Sequence, residues 1–270
     1  MPELPEVETT LRGIEPYVLQ QRVKKVIVRQ PQLRWPIPDE LNKQLQNRII
    51  NKISRRGKYI LLHTQRGAAI LHLGMSGSLR VVDALTPAQK HDHVDICFTQ
   101  GHCLRLRDPR RFGALLWSET PEQHPLLSPL GVEPLSAQFD ASYLHAQAHG
   151  RKRAVKLFLM DSHIVVGVGN IYANEALFAA GIHPKTAAGK ISLKRYETLA
   201  SAIQSILTAA IQQGGTTLKD FLGSDGKPGY FKQQLNVYDR ADAPCPRCTS
   251  AIKLVKLGQR STYFCSKCQR

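Results

Sequence analysis

Four cysteines close the chain in two pairs, Cys245 with Cys248 and Cys265 with Cys268, spaced C-x2-C-x16-C-x2-C. Each pair can grip one ion from a tight turn, and the residues between the pairs suit a β-hairpin. Four thiolates leave no open coordination position, which describes one structural, tetrahedral Zn2+. Redox-active CxxC pairs would need a thioredoxin-like βαβ context, and the flanking sequence has none. The hairpin carries Lys253, Lys256 and Arg260 and reads as a basic finger.

The other end of the chain offers a different chemistry. It opens "MPELPEVE". Proline at position 2 is small enough to favour removal of Met1, which would leave a secondary amine at the terminus. An α-amine titrates at about 7.7–8.0, so a useful fraction is neutral and nucleophilic near pH 7. Attack of such an amine on a sugar anomeric carbon gives an iminium that cannot discharge itself by losing an N–H. That cation draws electrons and makes the neighbouring C–H acidic. Glu3, one residue away, can serve as acid or base. A plainer reading also fits these residues: Glu3, Glu6 and Glu8 would each be favoured at a helix N-terminus by the helix dipole.

Further candidates lie between the two ends. In "SRRGKYILL", Lys58 stands at a turn entering an apolar strand. "GRKRAVK" is densely basic, and Lys156 sits where it enters a helix. "VVGVGNIYANE" places glycines and Asn170 just before a helix, where backbone N–H groups can hold a phosphate. Its spacing is not that of a dinucleotide-binding fingerprint. "RDPRRFG" puts arginines and an aromatic on one turn, either as a wedge for a base stack or as an ordinary basic turn.

These residues need a scaffold. A chain of 270 residues with 42% hydrophobic content can form two or three domains with real cores. Lys and Arg total 37 against 21 Asp and Glu, a net charge of +16 that points to a polyanionic partner. No apolar run approaches the roughly 18 residues that span a membrane, and no secretory or lipidation signal appears. The expectation is a cytoplasmic protein that does not engage membranes. Val7, Leu11 and Ile14 predict a helix over 5–18 ending around Pro16. From 22 to 118, short β-rich runs such as "RVKKVIV", "YILLHT" and "HVDICF" predict a β-sandwich or barrel, interrupted by a short helix near 39–47. Cys97 and Cys103 fall inside these strands and are expected as separate, reduced, buried thiols. Residues 119–139 are proline-rich and aperiodic, a linker candidate. Beyond them, Ala173, Ala176, Leu177 and Ala180, then Leu199, Ala202, Ile203, Ile206 and Ala210, repeat at helical spacing, with Gly181 and Gly214 placed as caps.

Taken in order, "MPELPEVE", "RRGKY", "HLGMSG", "KHDHVD", "DPRRFG", "VVGVGNIYANEALF", "QGGTTLKDF", "DGKPGYF" and the cysteine ribbon give the chain, over essentially its whole length, a resemblance to bacterial formamidopyrimidine-DNA glycosylases. The resemblance implies an α+β multidomain fold: an N-terminal β-sandwich with flanking helices (1–131), a linker (132–139), a helical domain with a helix–two-turn–helix element (140–234) and a zinc-ribbon β-hairpin (235–270). It implies a monomer acting on damaged double-stranded DNA. Pro2 would be the nucleophile, with Glu3 moving protons, and Lys58 and Arg260 donating protons or gripping phosphate. Met75, Arg110 and Phe112 would fill the gap left by an everted base, with Arg110 facing cytosine. His91, Arg110, Arg151, Lys156, Asn170 and Lys219 would contact DNA, and a loop from about Thr216 to Tyr230 would close over the base. The family often has Lys where this chain has Arg151, which keeps the charge. The sister enzyme endonuclease VIII, for oxidised pyrimidines, shares the terminal proline and zinc finger but typically has Gly where this chain has Leu4, and lacks the Met75, Arg110, Phe112 set. A non-catalytic zinc-ribbon damage reader is the remaining alternative, and intact Pro2, Glu3 and Lys58 argue against it.

Overall fold

The structure, a computed structural model, describes residues 2–215 and 235–270. They fall into two compact units. One comprises the chain up to Ser128 with residues 213–215, and the other comprises Pro129–Gln212 with residues 235–270.

The first unit begins with helix α1 (Leu4–Val18). Val7, Leu11, Ile14 and Val18 recur on one face and are buried. The helix runs past Pro16, where the sequence suggested a stop. The proline forfeits one intrahelical N–H, but it lies in the last turn, and burial of Val18 outweighs that loss. Two antiparallel four-stranded sheets follow. One is ordered β1 (Val23–Val28), β6 (Asp92–Phe98), β7 (His102–Arg107), β5 (Ser78–Asp83). The other is ordered β2 (Lys52–Arg56), β3 (Tyr59–Thr64), β4 (Gly67–His72), β8 (Ala114–Ser118). Inward-facing Ile53, Ile60 and Leu71 of one sheet share a core with Leu79, Ile96 and Leu104 of the other. This is a sandwich, with α1 and the short helix α2 (Leu41–Leu45) adding apolar residues to its core. Emptying a fully buried position such as Ile14 with alanine would cost about 2–5 kcal/mol.

One expectation is corrected here. Cys97 and Cys103 are not separate thiols: they are directly opposite in the β6–β7 register, their Cα atoms 4.0 Å apart, and are joined as a disulfide. The tight connection between the strands sets this pairing, which spacing along the chain does not reveal.

The second unit is helical. Its helices are α3 (Ala141–Ala148), α4 (Val155–Leu159), α5 (Asn170–Ala179) and α6 (Leu193–Gln212), with α3 and α5 packed on α6. Asp140 caps α3 by accepting from the Tyr143 N–H at 2.7 Å. Gly181 (φ +66°) ends α5 in the left-handed conformation that glycine adopts without strain. The stretch read as a connector packs on this unit: Val132 bridges Val165, and Phe139 is buried. Strands β9 (Lys253–Leu257) and β10 (Arg260–Phe264) form the C-terminal hairpin.

Candidate functional site

In the first unit, Pro2 and Glu3 are both buried where α1 begins. The carboxylate of Glu6, itself buried, accepts from the Glu3 backbone N–H at 2.8 Å. This bond spends one of the helix's unpaired N-terminal donors and fixes the backbone that carries Pro2. Gly215 (φ +79°) lies against Glu6; a Cβ there would come within 3.2 Å of Glu6 Oε1. One turn further along α1, Glu8 accepts from Arg55 at 2.8 Å and from Arg12 at 2.9 Å. Burial works against the Glu8 charge, but the two guanidiniums hold its carboxyl below the usual range. The Arg55 pair ties α1 to the strand that ends in the Gly57–Lys58 turn, with Arg56 and Tyr59 paired across it. Lys58 is therefore anchored to the element that carries Pro2.

The sequence reading passed over His72. Its Nδ1 accepts from the Gly74 N–H at 3.0 Å, and its ring lies 4.8 Å from that of Tyr59. Burial, reinforced by the positive charges of Lys58 and Arg34, pushes its pKa down to about 4. The imidazole is thus neutral at pH 7, with Nε2 protonated because Nδ1 is an acceptor. It links the Lys58 turn to the Met75 turn without adding charge.

Met75, Arg110 and Phe112 come from two loops held together by Asp108, which is fully buried. Its carboxylate accepts from Ser76 Oγ at 3.1 Å and from the Gly113 N–H at 2.7 Å. Its carbonyl lies 2.8 Å from His93 Nε2, and its own N–H donates to the His91 carbonyl at 3.1 Å. The loops touch backbone to backbone: a Cβ on Gly74 would fall 2.4 Å from the Phe112 carbonyl carbon. Arg111 is in the left-handed region (φ +55°), which turns Phe112 outward; it is 44% exposed, with the Arg110 guanidinium 4.9 Å from its ring centre. This arrangement holds an apolar wedge and a donor fork side by side. His91 (φ +76°), just before β6, meets this loop through its carbonyl, which accepts the Asp108 N–H. Desolvation, with Lys90, His93, Arg107 and Arg111 around it, lowers its pKa, so this corner is a concentration of positive potential suited to a phosphate.

The second unit holds the other candidates. Arg151 is exposed, bonded to the Gln147 carbonyl at 2.6 Å and 5.8 Å from the Phe158 ring centre. Asn170 opens α5, and its Oδ1 is buried with no hydrogen-bond partner among the described residues. Lys156 is placed differently from what the sequence suggested. Its side chain is fully buried, and Nζ donates to the Ser261 carbonyl at 2.8 Å and to Thr262 Oγ1 at 2.7 Å. It therefore grips β10 immediately after Arg260. Asn174 Oδ1 takes the Tyr263 N–H at 2.8 Å, and a Cβ on Gly258 would meet Leu157 Cδ2 at 2.7 Å. The hairpin is thus pinned on α4 and α5, with Arg260 exposed at its tip. Glu175, also missed in the sequence, collects the N–H groups of Asn236, Val237 and Tyr238 at 2.8–2.9 Å and so fixes the chain entering the ribbon. Lys219 and the loop from Thr216 to Tyr230 lie outside the described residues.

At the base of the ribbon, the sulfurs of Cys245, Cys248, Cys265 and Cys268 all lie within 4.8 Å of one another. The Arg247 N–H points at Cys245 Sγ, 3.4 Å away. The Ser250 backbone N–H, with further hydrogen bonds, lowers the Cys248 pKa to about 6, while the proton shared with Cys248 and the crowding of other sulfurs push Cys268 up to about 12. A dication at the centre relieves that crowding, so the donor set fits one four-coordinate Zn2+. Phe178 and Ile252 pack behind the cysteines.

Comparison with known proteins agrees with this geometry. Three family models match: "Formamidopyrimidine-DNA glycosylase N-terminal domain" over residues 1–115, "Formamidopyrimidine-DNA glycosylase H2TH domain" over 130–221, and "Zinc finger found in FPG and IleRS" over 243–270. The chain is 58% identical over 271 residues to the formamidopyrimidine-DNA glycosylase of Shewanella halifaxensis, covering all of both chains. It is equally similar, at 58% over 271 residues and full coverage of both, to that of Methylococcus capsulatus. Among solved structures, MutM (Fpg) of Thermus thermophilus superposes with a TM-score of 0.88 at 35% identity, covering 99% of this chain and 98% of that one. The wild-type Lactococcus lactis Fpg, in complex with DNA containing N7-benzyl-Fapy-dG, superposes at 0.91 with 32% identity and full coverage of both chains.

Proposed function

The chain belongs to the formamidopyrimidine-DNA glycosylase family, and on that premise we propose how its own residues excise a damaged base. It is a DNA repair enzyme, a glycosylase that is also an abasic-site lyase, with one structural zinc ion in its C-terminal finger. Its substrate in this reading is duplex DNA carrying 8-oxoguanine or a formamidopyrimidine. The damaged nucleotide leaves the stack at a cost of roughly a few kcal/mol. Met75 and Phe112 occupy the gap, and the Arg110 fork faces the orphaned cytosine.

Pro2, freed of Met1, attacks C1′ through its secondary amine. The glycosidic bond breaks, the base takes the electron pair, and the amine's proton is passed to the departing base. Glu3 delivers a proton to the sugar ring oxygen, which opens the ring and leaves an iminium between the Pro2 nitrogen and C1′. Loss of a C2′ proton then expels the 3′ phosphate. A second elimination expels the 5′ phosphate, and water releases Pro2. Lys58 and Arg260 hold the flanking phosphates or protonate them as they leave, while His91, Arg151, Asn170 and Lys219 grip the backbone. Lys156 acts through the hairpin by positioning Arg260.

The observation that carries this reading is the burial of Pro2 and Glu3 together at the entry to α1, with the Glu3 backbone held by Glu6. Borohydride reduction with 8-oxoguanine duplex should trap a covalent adduct on the N-terminal peptide at Pro2, and Glu3→Gln should bind the duplex but not release base. An adduct on Lys58, with full activity in a protein extended before Pro2, would overturn it.

The enzyme acts as a monomer in this reading, which sedimentation in the presence and absence of DNA would check. Among the described residues no helix is long and apolar enough to cross a membrane. With the relatives named above bacterial, the proposed place of action is the cytoplasm, on chromosomal DNA.

A further inference from the structure

Val94 and Ile96 of β6 and Leu104 and Leu106 of β7 face the sandwich core, which turns Asp95 and Arg105, directly opposite one another, to the outer face. A charged pair on an outer face is ordinarily in water. Here Asp95 is 1% exposed and Arg105 4%. Part of the cover is the β5–β6 connection, residues 84–91, and Arg105 itself holds it down. Its Nη2 donates to the Thr86 carbonyl at 2.9 Å and its Nη1 to the Pro87 carbonyl at 3.1 Å. Nε and Nη2 also donate to the two carboxylate oxygens of Asp95, at 2.8 and 2.9 Å. Arg29 fixes Asp95 in turn, at 2.6 Å. Burial works against the Asp95 charge, but the two guanidiniums hold its carboxyl below the usual range.

The same guanidinium reaches the far end of the connection. Nη1 lies 3.5 Å from Asp92 Oδ2, and that oxygen accepts the Gln89 N–H at 2.8 Å. The Asp92 N–H donates back to the Gln89 carbonyl at 3.0 Å. Lys90 and His91 lie between Gln89 and Asp92, Lys90 exposed and His91 half-buried. His91 is in the left-handed region (φ +76°), which a residue with a side chain keeps only where its surroundings over-determine it. Arg105 is too deeply buried to touch a ligand. What it supplies is a planar fork of five N–H donors in fixed geometry, which lysine, with three donors on a flexible stem, does not reproduce.

We propose that Arg105 is a positioning residue for DNA: by gripping the 84–91 connection at both ends, it holds Lys90 and His91 in the arrangement that meets a backbone phosphate. This rests on the reading of His91 as a phosphate contact. Pro2, Glu3 and the Met75, Arg110, Phe112 set lie on other elements, so the clamp acts on binding and not on the chemical step.

The test uses full-length, zinc-loaded protein and duplex DNA with 8-oxoguanine opposite cytosine. Arg105→Lys keeps the charge beside Asp95 but loses the fork. Kd and KM should rise about tenfold, the loss of one charge-assisted contact, while the single-turnover rate at saturating DNA stays unchanged. The slope of log K against log salt should fall by about 0.9, one phosphate contact, although the net charge is the same. Asp92→Asn separates a clamp from plain electrostatics. Removing a carboxylate beside a DNA-binding loop would tighten binding by charge alone, whereas loosening the clamp should weaken it about threefold. Ile96→Val, which thins the core side of the same strand pair, should leave KM unchanged. The Lys90→Gln, His91→Gln double variant should bind weakly, and adding Arg105→Lys to it should cost little more. Additive losses, unchanged affinity in Arg105→Lys, tighter binding by Asp92→Asn, or an equal rise of KM in Ile96→Val would each overturn the proposal. Unchanged binding by the Lys90, His91 double variant would instead overturn the phosphate reading of His91, and the proposal with it.

Discussion

The Asp108 carboxylate accepts from the Ser76 hydroxyl at 3.1 Å, and this one bond couples the turn bearing Met75 to the loop bearing Arg110 and Phe112. The Arg110 N–H lies 3.3 Å from the same hydroxyl oxygen, so Ser76 touches both sides of the junction. An unsatisfied buried partner costs about 1–3 kcal/mol. Asp108→Ala strands both the Gly113 N–H and the Ser76 hydroxyl, so urea melts should show a loss of about 2–5 kcal/mol. Ser76→Ala should lose about 1 kcal/mol. At temperatures where both variants are folded, the preference for cytosine opposite 8-oxoguanine should narrow, because Arg110 and Phe112 no longer share a fixed base. An intact preference in Asp108→Ala would remove the clamp from recognition.

His72 gives the fold a pH limit. Its folded pKa, about 4, lies below its unfolded value near 6.5. The unfolded chain therefore binds more protons between those values. The contribution of His72 is complete above about pH 6.5 and is lost as pH falls toward 4, by up to about 3 kcal/mol. Asn at this position can keep an acceptor for the Gly74 N–H without titrating. Thermal midpoints from pH 7 to 4.5 should therefore fall less steeply for His72→Asn than for the unchanged protein.

Lys156 should behave as a positioning residue for Arg260. Lys156→Met fills similar space but takes a donor from the Ser261 carbonyl and from Thr262 Oγ1, whose own bond to the Arg260 carbonyl remains, at about 1–3 kcal/mol. Zinc content should stay at one per chain while strand cleavage drops. If Lys156 works through Arg260, the double variant with Arg260→Ala should be little worse than Arg260→Ala alone. Additive losses would assign Lys156 a separate role.

The zinc finger should be conditional on its metal. Cys248→Ser, or chelation, leaves sulfurs crowded within 4.8 Å without a counter-charge, and the hairpin carrying Arg260 should unfold. Metal analysis with hydrogen exchange over residues 245–268 should show loss of zinc and protection together. DNA affinity should fall with them, while β-sheet protection in the sandwich persists.

Much of this protein is local in origin and therefore legible in its sequence. The cysteine spacing defines a closed four-sulfur site because each CxxC turn sets its own geometry. The α1 stripe, the cap at Gly181 and the alternation along the strands depend on neighbours within a few residues. So does the adjacency of Pro2 and Glu3, which is covalent. What the tertiary structure decided lies in strand register and between segments distant in the chain. Only the β6–β7 register puts Cys97 opposite Cys103. Only packing of one loop on another brings Asp108 to Ser76, 32 residues apart. Lys156 reads as one more surface cation in a basic run, yet the fold turns it inward to Thr262, 106 residues away. A polar group's partner across the fold leaves no periodicity in the sequence, because burial creates the need for it and burial is a property of the folded chain.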